Sequence, residues 1–284
     1  MIKLKEYFQI ISCLFFSLLG LQIKLLSSSV NIETIVFFRS LLGSFFVFFF
    51  IVIFKEKKFL KKFKKKNIKI HALRSICGIF AMYFGYKSLE FISLSQASTI
   101  GFTKVFFTSL LAVFIFKERF HTSNIFFIFL GFLGVYLITD PTNLKNTFGI
   151  SLSLLSALFV SGGILSISYL SKKEETLKIL FYNSIISSII FFTVFFEQIN
   201  FFPIQHFLKL MALTITAILG QYFNTESYKY FKTSKVVLMS YSRILFATLF
   251  GFFFLDESIN LTSFIGIIFV IITTLIVKSK IIKN

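Results

Sequence analysis

The stretch GFTKVFFTSLLAVFIFKE, residues 101–118, places one lysine, Lys104, inside a run that is otherwise apolar or small. A second stretch, SYSRILFATLFGFFFLDE at 240–257, aligns with the first without a gap and places an arginine, Arg243, at the same point. Each run lies in an apolar segment long enough for a helix to cross the roughly 30 Å of hydrocarbon in a bilayer. The fold must therefore accommodate two cations at matching positions inside apolar helices.

The composition is that of a membrane protein. Of the 284 residues 56% are hydrophobic, 45 are phenylalanine, and the mean hydropathy is +0.85. Such usage predicts an all-α integral membrane protein with almost nothing left for a soluble domain. We expect ten transmembrane helices, over residues 7–26, 33–54, 70–90, 94–116, 122–139, 149–170, 177–196, 207–228, 236–255 and 261–278.

The basic residues predict the orientation of these helices. If the N-terminus is cytoplasmic, that side receives 21 of the 30 Lys and Arg residues, and the opposite loops receive only Lys145. This distribution follows the positive-inside rule, so we expect both termini in the cytoplasm of a bacterial cell, with the chain in the inner membrane. The lysine-rich stretch 55–69 is then a topogenic loop on the lipid headgroups, and no nucleic-acid partner is expected.

Two sequence registers predict an internal duplication. The first register lays 84–120 over 223–259, and the second relates the earlier helices of the two halves, beginning with Ser12 over Ser156. We expect two five-helix repeats, residues 1–143 and 144–284, of which the second is inverted because five is odd. The paired positions include Lys104 with Arg243, Gly101 with Ser240, Tyr83 with Tyr222, Arg39 with Asn183, Ser12 with Ser156, and Ser17 with Ser161.

Lys104 and Arg243 are the first candidates for a substrate site. Lys104 lies about 15 Å from the outer end of its span, and Arg243 about 12 Å from the cytoplasmic end of its own. A charge at that depth costs at least about 2.5 to 3.5 kcal/mol and usually marks a polar pathway. We expect the pair to line a central cavity and bind the carboxylate or other anionic part of a solute. The alternative is structural neutralisation by a helix C-terminus, by carbonyls, or by Glu226.

Other candidates carry both a functional and a structural interpretation. Arg39, whose counterpart is Asn183, is expected to bind substrate, to gate, or to pack below the outer surface. Tyr83 and Tyr222 are expected either to stack on a substrate ring or to pack in the core.

Small and charged residues complete the set. Gly101 and Ser240 are expected to leave room for a ligand or for close helix packing, and Gly131 and Gly134 for packing. Glu226 is expected to carry a coupling proton or, more simply, to pair with Lys229. Lys87 and Glu90 are expected to form an exposed pair, and Arg74 and Lys24 to reach water from near span ends.

The stretch HALRSICGIFAMYFGYKSLEFISLSQASTIGFTKVFFTSLLAVFIFKERF, residues 71–120, resembles the third and fourth helices of the EamA family of the drug/metabolite transporter superfamily. The resemblance extends to FFRS at 37–40, to YSRILFATLFGFFFLDE at 241–257, and to the acids Glu118 and Glu257. It implies ten-helix carriers of amino acids, amines, purines, carboxylates, riboflavin or S-adenosylmethionine. The family often has a serine-proline pair where this chain has Thr103 and Lys104, so a relative's specificity is not carried over.

We therefore expect a secondary transporter that works by alternating access, with amino acids or related carboxylate-bearing solutes as the leading substrates and S-adenosylmethionine as a specific alternative. A membrane enzyme is disfavoured because His71, His121 and His206 lie at span ends without a catalytic motif. A structural membrane protein would not need two matching cations inside its helices. No metal or cofactor is expected, and the sequence does not decide the oligomeric state, although a monomer is plausible.

Overall fold

The protein is helical throughout the residues that the structure describes. The computed structural model describes residues 5–53, 65–88, 90–92, 94–117, 122–139, 146–199, 204–254 and 260–282, and no strand forms within these ranges. The all-α prediction is confirmed for them. The helices are α1 (Phe8–Leu26), α2 (Ile32–Ile53), α3 (Lys65–Ser88), α4 (Leu94–Gly101), α5 (Lys104–Phe116), α6 (Thr122–Thr139), α7 (Thr147–Ser171), α8 (Thr176–Val194), α9 (Ile204–Tyr230), α10 (Thr233–Met239), α11 (Ser242–Phe254) and α12 (Leu261–Ile282).

Within the part of the chain that the structure describes, seven helical segments are long and apolar enough to cross a membrane. They are Phe8–Leu26, Ile32–Ile53, Thr99–Phe116, Thr147–Ser171, Thr176–Val194, Gln205–Tyr230 and Thr233–Phe254. Two further apolar helices, Ile125–Ile138 and Leu261–Val277, are shorter. Ten crossings therefore stay a prediction. Of the lysine-rich stretch 55–69 that was predicted to be a loop, residues 65–69 belong to α3, and the rest lies outside the described residues, as do the acids Glu118 and Glu257.

The helices expose large apolar side chains and bury small polar ones. Phe114, Phe129 and Leu261 are 72%, 73% and 77% exposed, whereas Ser161 and Thr214 are completely buried. In a bilayer the exposed rings contact acyl chains, so this pattern carries no hydrophobic penalty. Small residues inside the bundle let the helices approach closely.

Glycines set a close crossing between α6 and α12. A Cβ on Gly134 would lie 2.9 Å from the carbonyl oxygen of Gly266, and a Cβ on Gly266 would lie 2.5 Å from the carbonyl oxygen of Gly134. Both contacts are with backbone, so neither position accepts a larger residue without separating the helices. The packing prediction is confirmed for Gly134. Gly131 instead makes room for Tyr241, whose ring would lie 2.5 Å from an added Cβ.

Two helix pairs, α3 with α7 and α1 with α9, make the same hydrogen bond. Ser156 Oγ of α7 donates to the carbonyl of Ala81 on α3 at 2.7 Å, and Ser12 Oγ of α1 donates to the carbonyl of Gly220 on α9 at 2.8 Å. The second register pairs Ser12 with Ser156, and the first register, extended back along α3, pairs Ala81 with Gly220. The two sequence registers therefore relate both the donors and the acceptors of these contacts.

The continuous helices expected over 94–116 and 236–255 are each interrupted, which corrects the sequence prediction. Between α4 and α5, and between α10 and α11, backbone N–H groups bond to the carbonyl three residues back rather than four. Hydroxyls support both turns, because Thr103 Oγ1 donates to the Ile100 carbonyl at 2.6 Å and Ser242 Oγ to the Met239 carbonyl at 2.8 Å. Such local bonds compete with the regular helical ladder.

Candidate functional site

The two helix breaks meet inside the bundle. Phe102, at the first break, stacks on Tyr241, at the second, with ring centroids 5.6 Å apart and planes 26° apart. Tyr241 is completely buried, and its hydroxyl donates to the carbonyl of Ile128 at 3.0 Å. Because the first register pairs Phe102 with Tyr241, the contact joins equivalent positions of the two halves.

Lys104 is the first residue of α5, directly after its break. Its Nζ lies 4.8 Å from the centroid of the Phe102 ring, a distance that suits a cation–π contact. Its carbonyl accepts a hydrogen bond from Ser161 Oγ of α7 at 3.2 Å. Lys104 thus lies at the N-terminal end of α5, where the dipole of that helix does not neutralise a cation.

Arg243 is the second residue of α11 and repeats this arrangement. Its Cζ lies 5.8 Å from the centroid of the Phe16 ring, and its Nη2 lies 3.9 Å from where a Cβ of Gly20 would be. Its carbonyl accepts a hydrogen bond from Ser17 Oγ of α1 at 2.7 Å. Ser17 and Ser161 are partners in the second register, so each cation is held by the same contact.

The charges of Lys104 and Arg243 act on each other, and both act on the buried thiol of Cys13. Within the described ranges no carboxylate forms an ion pair with either cation. Glu226, the acid considered as their counter-charge, bonds instead to the hydroxyl of Thr176 and lies 3.6 Å from Lys229 Nζ. The two cations therefore form a pair of like charge without a described acidic partner.

Gly101 and Ser240, which precede Lys104 and Arg243 by three residues each, have different surroundings. An added Cβ on Gly101 would meet no atom of the described chain within 4 Å. Ser240 is buried, its hydroxyl donates to the Val237 carbonyl at 2.5 Å, and its carbonyl lies 3.8 Å from Cys13 Sγ. Open space is thus available beside Gly101, whereas the side chain of Ser240 is engaged in the turn.

Arg39 and Asn183 line a cavity halfway along α2, between α2, α3, α8 and α9. About 20 Å³ of this cavity is open to the centres of water-sized molecules, which is room for roughly one water. Both side chains are buried, at 7% and 6% exposure. The complete lining is Arg39, Ser40, Gly43, Met82, Asn183, Ser184, Thr214, Ala217, Ile218 and Gln221.

Tyr83 and Tyr222 lie in two different apolar clusters. Tyr83 packs on Phe195, with ring centroids 4.8 Å apart, next to the core of Val36, Ile79 and Phe191. Tyr222 packs against the cluster of Val47, Ile51 and Leu180. Neither tyrosine lines the cavity of Arg39 and Asn183. The structure therefore does not bring the two rings together at one point.

Arg74 was expected to reach water, and the structure leaves the residue partly exposed but places part of its guanidinium inside the bundle. Its Nε is buried without a hydrogen-bond partner, and its Nη1 lies 2.8 Å from where a Cβ of Gly78 would be. Asn183 Oδ1 lies 3.5 Å from the same point, and Arg74 Nη1 lies 3.4 Å from a Cβ position on Gly163. Gly78 and Gly163, the glycines that face Arg74, are the sequence feature from which this partly buried guanidinium could have been predicted.

A network around Glu174, in the connection from α7 to α8, was also missed. Its carboxylate accepts hydrogen bonds from Asn67 Nδ2 at 2.6 Å and lies 2.9 Å from His71 Nε2 and 3.9 Å from Lys178 Nζ. Burial opposes ionisation, but these hydrogen bonds and the charges of His71 and Lys178 together hold the pKa of Glu174 below its ordinary value. The network ties the start of α3 to the start of α8.

The expected local pairs of neighbouring charges are present. Lys87 Nζ lies 2.8 Å from Glu90 Oε1, and Lys229 Nζ lies 3.6 Å from Glu226 Oε1. Lys229 also lies 3.8 Å from Glu175 Oε2, on the connection that carries Glu174. The pairing predictions are confirmed. The coupling role of Glu226 stays a prediction.

The chain is similar to several curated proteins. An uncharacterized transporter of Helicobacter pylori is 26% identical over 252 residues, covering 85% of this chain and 83% of the relative. The pseudopaline exporter CntI of Pseudomonas aeruginosa is 23% identical over 247 residues, covering 85% and 84%. Solute carrier family 35 member G1 of Homo sapiens is 24% identical over 204 residues, covering 65% and 55%.

A solved crystal structure shares the fold, with a TM-score of 0.81 over 98% of each chain at 12% identity. The EamA-like transporter family matches the sequence twice, over residues 4–140 and 147–279. These two matches include nearly all of the chain and all of the helices described above except the last three residues of α12. The chain belongs to the EamA-like transporter family.

Proposed function

We propose that the protein is a secondary carrier of small organic metabolites, most simply amino acids or related carboxylate-bearing solutes, and that Lys104 and Arg243 bind the anionic part of the solute. The family and the names of the relatives indicate a transporter rather than an enzyme. The observation that carries the proposal is the position of two cations at corresponding helix breaks, without a described acidic partner. Broken helices near the midplane are typical of transporter sites.

The free-energy cost of the two unpaired cations favours a ligand that binds reversibly. An unpaired charge near the bilayer centre costs at least about 2.5 to 3.5 kcal/mol, and two like charges that act on each other add repulsion. A permanent acidic partner would remove this cost, yet the described part of the chain supplies none. A carboxylate that binds between Lys104 and Arg243 would offset it in the loaded state only. The open space beside Gly101 gives such a group room next to Lys104.

We further propose that residues 1–143 and 144–284 are inverted five-helix repeats that form ten crossings and rock about this site. The two family matches support the division. The matched bonds of Ser12 and Ser156, and those of Ser17 and Ser161, support a common packing of the two halves. Alternating access follows from such symmetry, because each half adopts in turn the arrangement of the other.

The chain is a multi-pass membrane protein, and we propose that it lies in a bacterial inner membrane with both termini in the cytoplasm. The positive-inside distribution of 21 basic residues supports this orientation. Bacterial relatives of similar length support the location. One relative, the pseudopaline exporter CntI, is named as an exporter. Export is therefore assayed together with uptake.

The proposal is tested by thermal stabilisation of the purified protein in detergent. The panel contains amino acids, S-adenosylmethionine, purines, dicarboxylates and riboflavin. A compound present at about 100 times its dissociation constant stabilises the folded state by roughly 2.7 kcal/mol. We expect stabilisation by carboxylate-bearing compounds in the wild type and in Lys209→Gln, which removes an exposed charge on α9.

The same stabilisation should be lost in Lys104→Gln and in Arg243→Gln. Circular dichroism and size-exclusion chromatography establish that the variants fold. Stabilisation that persists unchanged in both folded variants would show that the two cations are structural, and the proposed site would then be wrong.

A further inference from the structure

The cavity between α2, α3, α8 and α9 combines burial with unbalanced positive charge. Arg39 is 7% exposed, and its Nη1 lies 2.7 Å from the sulfur of Met82, a weak acceptor that leaves the guanidinium charge in place. Arg74 does not line the cavity, but its Nη1 lies 2.8 Å, and Asn183 Oδ1 lies 3.5 Å, from where a Cβ of Gly78 would be. No carboxylate in the described ranges forms an ion pair with either arginine.

The remaining lining can donate hydrogen bonds to an anion. Ser40 and Ser184 carry hydroxyls and Gln221 carries an amide, whereas the Thr214 hydroxyl already donates to the Leu210 carbonyl. Asn183 is 6% exposed, and its Oδ1 has no partner, so its amide is free to turn and present its NH₂ group to a ligand. The cavity therefore offers positive charge and donors together, but no described negative charge.

The size of the cavity limits the ligand. Its 20 Å³ of space for water-sized centres suits one particle about as large as a water molecule. An amino acid or a sugar phosphate does not fit, whereas a halide ion does. Burying the Arg39 guanidinium without a counter-charge is costly, and one monovalent anion would remove much of that cost.

We propose that this cavity binds one small inorganic anion of halide size, with chloride as its natural representative. The anion site is separate from the organic-solute site at Lys104 and Arg243, and so the proposal goes beyond the proposed function. Its donors come from α2 on one side and from α8 and α9 on the other. The bound anion would therefore bridge the two halves of the chain.

The test measures the melting temperature of the purified protein as chloride replaces methanesulfonate at constant ionic strength. Methanesulfonate is too large for the cavity, so a difference between the salts reports the site rather than screening. We expect a saturable rise in melting temperature with chloride for the wild type and for Lys104→Gln. In Arg39→Gln the chloride affinity should fall about tenfold or more, because the cavity loses its charged donor, and in Arg74→Gln it should fall less, because Arg74 does not line the cavity.

Gly43→Ala is a second variant that keeps both charges. The added Cβ would lie 3.3 Å from Ser184 Oγ and 3.8 Å from Thr214 Cγ2, and it would occupy part of the cavity. We expect the chloride effect to disappear while the protein still folds, because the Ser184 hydroxyl can rotate away. If the arginine variants do not fold, wild-type crystals grown in bromide locate the site directly by anomalous scattering.

Bromide density between Arg39 and Asn183, or a chloride effect that depends on Arg39 and Gly43 but not on Lys104, supports the proposal. No saturable difference between chloride and methanesulfonate in the wild type would overturn it. So would a chloride effect lost in Lys104→Gln and kept in Arg39→Gln. Displacement of chloride one-for-one by an amino acid would also overturn it, because the cavity would then belong to the organic solute. None of these results depends on whether Lys104 and Arg243 bind a carboxylate.

Discussion

Replacing Gly131 with alanine should destabilise the protein by forcing Tyr241 away from the helix breaks. The new Cβ would lie 2.5 Å from Cδ2 and Cε2 of the tyrosine ring and 3.1 Å from Cζ. An ordinary contact of this kind is no closer than about 3.4 Å, so the ring must withdraw by roughly 1 Å. It has no free direction, because it is completely buried, stacked on Phe102 and bonded to the Ile128 carbonyl.

The magnitude follows from three contributions. Overpacking of a filled core costs about 1 to 3 kcal/mol. Loss of the tyrosine hydrogen bond adds about 0.5 to 1.5 kcal/mol, and alanine recovers about 0.5 to 1 kcal/mol relative to glycine in a helix. We therefore expect Gly131→Ala to be destabilising by about 0.5 to 4 kcal/mol. Gly101→Ala is the matched control, since its Cβ meets no described atom within 4 Å, and it should be neutral or slightly stabilising.

Reversible unfolding in mixed micelles, followed by circular dichroism, measures both changes. A double-mutant cycle isolates the steric origin, because Gly131→Ala should cost little once Tyr241→Ala has removed the ring. If Gly131→Ala is as stable as the wild type, or if its cost persists unchanged without the ring, the contact between Gly131 and Tyr241 does not limit packing at the breaks.

Four further outcomes are expected. Gly266→Ala should be destabilising by more than Gly131→Ala in the same assay, because its Cβ meets backbone at 2.5 Å and α12 itself must move. Ser12→Ala and Ser156→Ala should each cost about 0.5 to 1.5 kcal/mol and should add in the double variant, whereas unequal single costs would argue against equivalent roles. Glu174→Gln should lower the free energy of unfolding at neutral pH. Because the pKa of Glu174 in the folded protein is below its ordinary value of 4.5, its carboxylate stabilises the fold at pH values above 4.5, and the difference from the wild type should shrink as the pH falls below that value. If Glu226 carries a coupling proton, Glu226→Gln should abolish proton-driven uptake in liposomes but preserve solute exchange; loss of both would indicate a structural role.

The cations at the breaks could be predicted from sequence because charges are rare in apolar helices. Lys104 and Arg243 also fall on one register, and the structure places both at the start of a helical segment. The breaks themselves were not predictable, since neither stretch contains proline. They depend on hydroxyls that bond three residues back, and Ser227 makes the same kind of bond to Asn224 inside the uninterrupted α9.

Arg74 and Glu174 show what a single sequence conceals. The predicted third span begins at residue 70, but α3 begins at Lys65, so Arg74 lies well inside the helix and cannot be treated as a terminal residue. The partners of Glu174, Asn67 and His71, are more than 100 positions away in the chain. Such contacts follow from how helices pack and leave no local pattern in the sequence.

The most direct test of the carrier mechanism is counterflow of a labelled carboxylate-bearing compound, chosen from the thermal panel, into liposomes that contain the purified protein. We expect rapid, saturable exchange by the wild type and by Lys209→Gln, and exchange reduced at least about tenfold in Lys104→Gln and Arg243→Gln, as loss of a charged contact requires. Exchange at the wild-type rate in both of the latter variants would contradict the assignment of these two cations to the substrate site.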